Sequence, residues 1–135
     1  MQRYGMVALL WAVLVTLGWS SGVHAGSNEV RLRAEFTATA AGGLADGHAD
    51  YRQESGQRRL SVEVEDVQRD GTGRVIIRRG TTTIFSRAIR IVGGFADLNL
   101  DTANGNIVPI LQVNDVVQVR DSSGALILRG RFQTD

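Results

Sequence analysis

The chain has 135 residues, enough after a leader for one small domain with its own core and too few for two ordinary ones. Its 15 basic residues, all arginine, nearly balance 14 acidic ones, so the overall charge gives no pointer to a nucleic-acid partner or a polybasic membrane contact. Cysteine is absent, which excludes disulfides, thiol chemistry and lipid anchoring through an N-terminal cysteine.

Arg3 is the only charge before an apolar run over residues 6–19. Ser20, Ser21 and Gly22 follow, then Val23-His24-Ala25, a small-residue cleavage site of the A-x-A type. The apolar run is shorter than the roughly 20 residues that span a hydrocarbon core. Residues 1–25 therefore read as a signal peptide and 26–135 as a single all-β domain, secreted or periplasmic, with no membrane span in the mature chain. Cleavage removes only Arg3 of the charged residues, leaving 14 arginines against 14 carboxylates.

Residues 29–37 alternate cleanly, with Val30, Leu32, Ala34 and Phe36 on one side and Arg31, Arg33, Glu35 and Thr37 on the other. Period two over that length predicts a half-buried strand. A weaker strand is expected over 44–54, with Ala45, Ala49 and Tyr51 as contacts, and a strong one over 60–67 on Leu60, Val62 and Val64. Asp70-Gly71-Thr72-Gly73 reads as a hairpin turn, because glycine tolerates the positive φ such turns need. Val75, Ile76 and Ile77 return the chain, and residues 82–92 form a β-branched strand with Ile84, Ile89 and Ile91 toward the core. Phe95, Leu98 and Leu100 then open a stretch whose middle is Ile110, Leu111, Val113, Val116, Val117 and Val119 and whose end is Leu126, Ile127 and Leu128. No window has a helical period with a cap and a stop. Strands every ten residues or so, separated by glycines, predict an antiparallel β-sandwich, or alternatively a small β-barrel.

An offset of 51 residues aligns Asp70–Arg78 with Asp121–Arg129 and Gly42–Asp46 with Gly93–Asp97, without a gap. Leu60 and Val62 fall on Leu111 and Val113, while 53–59 has nothing in common with 104–110. Two readings stay open: an internal duplication, and shared hairpin grammar. A duplication requires residues 42–79 to superpose on 93–130 with the same strand order.

LSVEVEDV, GFADLNLDTANGNIVP and LQVNDVVQVRDSSGALILRGRF together resemble a group of small exported bacterial β-sandwich-like domains of no established activity. The resemblance covers residues 60–132. It implies a secreted β-sandwich-like module, sometimes found within multi-module proteins, and it carries no functional residues across.

Asp97, Asn99 and Asp101 place oxygen ligands at alternate positions, as calcium loops do, which makes them the candidate metal ligands. Thr102 stands where an EF-hand-type loop needs glycine, and no bidentate Glu follows six residues on. Alternation also places the three side chains about 7 Å apart on one strand face, too far to enclose one ion, so no metal site is expected. His48, the only histidine after the leader, sits between Asp46 and Asp50. A single histidine supports neither a transition-metal site nor, without a nucleophile elbow, a Ser-His-Asp triad. Glu63 and Glu65 share a strand face, as any Glu-x-Glu strand does, and would need a groove to act as a catalytic pair.

The arginines fall in pairs: Arg31/Arg33, Arg58/Arg59, Arg78/Arg79, Arg87/Arg90 and Arg129/Arg131. Gathered on one face they would read anionic polysaccharide or phosphate; interspersed carboxylates point instead to cross-strand ion pairs. The expected function is a non-enzymatic exported structural or binding module of the cell envelope or extracellular space, with no cofactor; the alternative is a carbohydrate- or calcium-binding module. The partners expected are protein or polysaccharide, not nucleic acid. Intact mass of the exported protein should correspond to a chain beginning at Gly26, and a membrane-bound species retaining residues 1–25 would refute the cleavage.

Overall fold

The computed structural model describes residues 28–135; the expected signal peptide and its cleavage site lie outside them. Alternation works as anticipated in β1 (Val30–Glu35), β3 (Asp46–Glu54), β4 (Gln57–Glu65) and β7 (Ala96–Asp101). With the short β10 (Gln133–Thr134) these form one antiparallel sheet in the order β10-β1-β3-β4-β7. A second sheet has the order β2-β9-β8-β5-β6, from β2 (Thr37–Ala38), β9 (Leu126–Arg131), β8 (Val116–Arg120), β5 (Gly71–Arg79) and β6 (Thr82–Ile91). The two sheets pack face to face as a sandwich and do not close into a barrel. Leu60, Val62, Val64 and Tyr51 from the first meet Val75, Ile77, Val117 and Val119 from the second in one apolar core.

One side of the sandwich is closed by two strands that change sheets. β1 pairs with β3, and after Phe36 the same chain continues as β2 against β9. β9 in turn leaves the second sheet, and after Phe132 continues as β10 against β1. Phe36 is 7% exposed and Phe132 is fully buried. Gly130 lies at this crossing: a Cβ there would stand 2.7 Å from the Glu35 carbonyl oxygen and 2.9 Å from a Phe36 ring carbon. The opposite side is open and presents the edges of β6 and β7.

Several expectations change. Asp70-Gly71-Thr72-Gly73 is not a hairpin turn, because β4 and β5 belong to different sheets and residues 66–70 cross between them. Gly73 instead permits close strand contact: a Cβ would lie 2.4 Å from the Arg120 carbonyl oxygen. The predicted strand through Ile110 and Val113 is a loop, with those side chains 57% and 44% exposed. Only Val108 and Leu111 from that loop reach the core. The buried Asp115 holds it down, accepting from Arg79 Nε at 2.9 Å, Arg79 Nη2 at 2.8 Å and the Gln112 amide at 2.8 Å. Phe95 is 45% exposed rather than buried, and Ile84 and Leu98 are half-buried; Leu100, Ile89 and Ile91 are buried as expected.

The 51-residue offset does not extend to topology. It would set β4 on residues 108–116, all but the last of which lie in the loop before β8, and β8 on 65–69, all but the first of which lie in the β4–β5 crossover. The matching sequences perform different tasks: Asp70 accepts from the Gly93 and Gly94 amides, each at 2.9 Å, whereas Asp121 accepts from Ser123 and Ala125 within its own turn.

Replacing Gly130 with alanine should cost about 2 kcal/mol of unfolding free energy, since backbone oxygen and a packed ring must both give way. Denaturant unfolding with an unchanged slope should show it as a lower midpoint. A variant within about 0.5 kcal/mol of the parent would mean that the corner tolerates a methyl.

Candidate anion-binding face

Strand alternation gives each sheet an outward polar face, and the two faces differ in composition. On the first sheet, strands β1, β3, β4 and β7 carry arginines and carboxylates together. There the ion pairs anticipated from the interspersed charges form. Arg33 meets Glu35 at 2.5 Å and Asp50 at 2.9 Å, Arg52 meets Glu54 at 2.8 Å, and Arg59 meets Asp101 at 2.9 Å. Register sets Arg52 directly opposite Arg59, and carboxylates on both flanks compensate that like-charge contact.

The strands of the second sheet contain eight arginines and not one Asp or Glu. Val75 and Ile77 point inward from β5, so Arg74 and Arg78 point outward. Val117 and Val119 do the same for Arg120 on β8, and register carries the outward side to Arg129 and Arg131 on β9 and to Arg90 on β6. Six guanidinium groups thus occupy one face, about 15 Å wide across four neighbouring strands and about 20 Å long from the level of Arg90 to that of Arg78 and Arg131. Among the described residues none of the six is in an ion pair. Arg74 donates to Ser86 Oγ at 2.8 Å, Arg78 to the Thr81 carbonyl at 2.8 Å and Arg120 to the Gly124 carbonyl at 3.0 Å, all neutral acceptors.

Carboxylates near this face are engaged in the backbone. The Asp70 carboxyl is held below the usual carboxylate range by the Gly93 and Gly94 amides. Burial pushes the Asp121 carboxyl up, but the Ser123 hydroxyl and the Ser123 and Ala125 amides outweigh it, and its net direction is down. Beside β2 a shallow concavity of about 320 Å³ is lined by Thr37, Thr39, Val116, Arg129 and Arg131. It gives an extended ligand a place to lie against two of the arginines.

The residues singled out from sequence lie elsewhere. Asp97, Asn99 and Asp101 face outward on β7, but they are not assembled around a point. Asn99 Nδ2 donates to Asp97 at 2.9 Å, whereas Asp101 accepts from Gln57, Arg59 and the Ala103 amide. The Ala103 amide is the largest of the contacts that keep the Asp101 carboxyl low, followed by Gln57 and Arg59. Asp101 therefore caps the turn after β7 and pins β4. His48 Nε2 lies 3.5 Å from Asp50 and the ring stands across the ladders from Glu35 and Glu63. Asp46 accepts from the Gly47 amide at 2.8 Å. Glu63 and Glu65 lie on the same outward sheet face as His48, not in a groove. Among the described residues no group of three or more His, Asp or Glu side chains is placed to hold a metal.

Among the described residues aromatic side chains offer no platform on either outer face: Phe36, Tyr51 and Phe132 are buried and Phe85 is half-buried, while Phe95 projects at the β6–β7 turn. The chain matches no protein-family model and no curated protein. Bringing the six arginines onto one face requires assigning strands to sheets, but part of the signal is visible in the sequence, where residues 71–96 hold five arginines and no carboxylate.

Thermal unfolding in excess calcium and then in excess chelator should give one midpoint, because Asp101 is committed to internal partners and the triplet does not converge. A site saturated a hundredfold above its dissociation constant would add about 2.7 kcal/mol, and a calcium-dependent rise abolished by Asp97→Ala would reveal one.

Proposed function

We propose that the protein is an exported, non-enzymatic binding module that holds an acidic polysaccharide against the arginine face of its second sheet. The observation that carries this reading is the set of Arg74, Arg78, Arg90, Arg120, Arg129 and Arg131 on four adjacent strands with no carboxylate among them. Arg74 and Arg120 stand directly opposite and Arg129 and Arg131 two positions apart, closer than the roughly 8 Å Debye length at physiological salt, so their mutual repulsion is incompletely screened and binding a polyanion relieves it. Guanidinium forks suit oxyanions, and the lack of an exposed aromatic platform favours recognition by charge over stacking on neutral sugar rings. Export is supported by the apolar run and the Val23-His24-Ala25 cleavage pattern, and a β-sandwich module agrees with the resemblance over residues 60–132.

Purified protein should be retained on immobilised dextran sulfate at low salt, released as salt rises, and ignored by neutral dextran. Replacing Arg78, Arg129 and Arg131 together by glutamine should weaken binding by about tenfold or more, since each removes a charge-assisted contact. Arg33→Gln on the first sheet should leave it unchanged. Equal retention of all variants would refute the face, and tighter binding of a DNA duplex than of dextran sulfate would replace polysaccharide with nucleic acid as the ligand class.

A further inference from the structure

The second sheet contains one like-charge contact that the first sheet shows how to neutralise. Arg74 on β5 stands directly opposite Arg120 on β8, as Arg52 stands opposite Arg59 in the first sheet. Cβ atoms of directly opposite residues are about 4.5–5.5 Å apart, and like charges placed so are destabilising unless compensated. Around Arg52 and Arg59 the chain supplies Glu29, Glu54 and Asp101. Around Arg74 and Arg120 it supplies only the Ser86 hydroxyl and the Gly124 carbonyl. Each guanidinium has five N–H donors, and each spends a single one on those neutral acceptors. Among the described residues no carboxylate pairs with either guanidinium, which leaves both open to an anion from outside the chain.

Resting on the polysaccharide reading above, we infer that Arg74 and Arg120 form a subsite for a phosphate monoester carried by the polymer. Two guanidinium groups bring a charge of +2, which a phosphate monoester at about −1.5 to −2 matches, whereas a sulfate ester or a sugar carboxylate brings only −1. Shape favours the same group. A carboxylate has two coplanar oxygens and is satisfied by one fork, while a phosphate monoester offers three acceptor oxygens in a pyramid that two forks from neighbouring strands can share. On the outward side, where Arg74 and Arg120 stand, the neighbouring Thr72 and Ala88 are small. A phosphate can therefore approach the pair from solvent. Arg129 and Arg131, two positions apart on β9, lack a facing arginine on β8, where they meet Gln118 and Val116. They supply general attraction without this geometry.

The test compares phosphorylated dextran, dextran sulfate and polygalacturonate at matched charge per length, by calorimetry with the mature chain. Phosphorylated dextran should bind about tenfold more tightly than either of the others, the worth of one extra charge-assisted bidentate contact. Arg74→Lys with Arg120→Lys keeps the charge but removes the forks. That variant should lose most of the tenfold preference, read as the ratio of the affinities for phosphorylated dextran and polygalacturonate, beyond any change common to all three polymers. Arg129→Lys with Arg131→Lys should keep the preference. An unfolding midpoint equal to the parent's shows that either variant is folded; should the Arg74/Arg120 variant fail to fold, single Arg120→Lys takes its place. Equal affinity for the three polymers, a preference untouched by the Arg74/Arg120 exchange, or one lost equally with Arg129 and Arg131 would each overturn the subsite and leave the polyanion face standing. Failure of dextran sulfate and phosphorylated dextran alike to bind would overturn both.

Discussion

Phe36 and Phe132 stand where two strands leave one sheet and enter the other, and the sandwich depends on that double crossing. Each ring is buried at the point where its own strand must bend. The crossing strands pair with each other's neighbours, so β1, β2, β9 and β10 lock the layers together along one side. Without disulfides, this corner and the apolar core beneath it replace covalent closure. Gly130 is what allows the strands to approach, since any side chain there meets the Glu35 carbonyl. The opposite side has no such device and ends in two free edges, with Arg87 on the inward side of β6 as a charge of the kind that deters edge-to-edge pairing.

The partition of strands between layers also produces the electrostatics. Every Asp or Glu that lies within a strand belongs to the first sheet, while the strands of the second hold arginine alone as their charged residue. A chain with nearly balanced charge thereby folds into a domain with one ion-paired face and one basic face. Carboxylates outside the strands do not dilute the basic face, because their oxygens are spent on amides: Asp70 on the β6–β7 turn and Asp121 on its own turn. Asp115 lies outside the strands and does meet an arginine: it pairs with Arg79 at the sandwich end, where it fixes the loop before β8.

Loop chemistry explains where apolar pattern misleads. Residues 107–113 are rich in β-branched and aliphatic side chains, yet they pair with no strand. Backbone needs there are met by side chains instead: Arg58 Nε reaches the Val108 carbonyl at 2.8 Å and Arg79 Nη2 the Ile110 carbonyl at 3.0 Å. Val108 and Leu111 plug the core while Ile107 and Ile110 are left outside. Local propensity favoured a strand, and the lack of a pairing partner decided against it.

By itself the sequence determined that this is an all-β domain, where most strands run, and that Leu60, Val62, Val64, Leu100, Val117 and Val119 go inward. Those properties follow from side-chain alternation, which is local and has a period that a chain displays whether or not it is folded. Which strand enters which sheet was decided only by tertiary structure, because it depends on crossings at Phe36, Phe132 and residues 66–70 that have no periodic signature. The hairpin expected at residues 70–73 and the duplication suggested by the 51-residue offset both assumed that like sequence means like pairing. Register and layer are set instead by which apolar faces bury each other. The arginine face belongs to the same class of property. Its six side chains are spread from Arg74 to Arg131, and only the order β9-β8-β5-β6 makes neighbours of them.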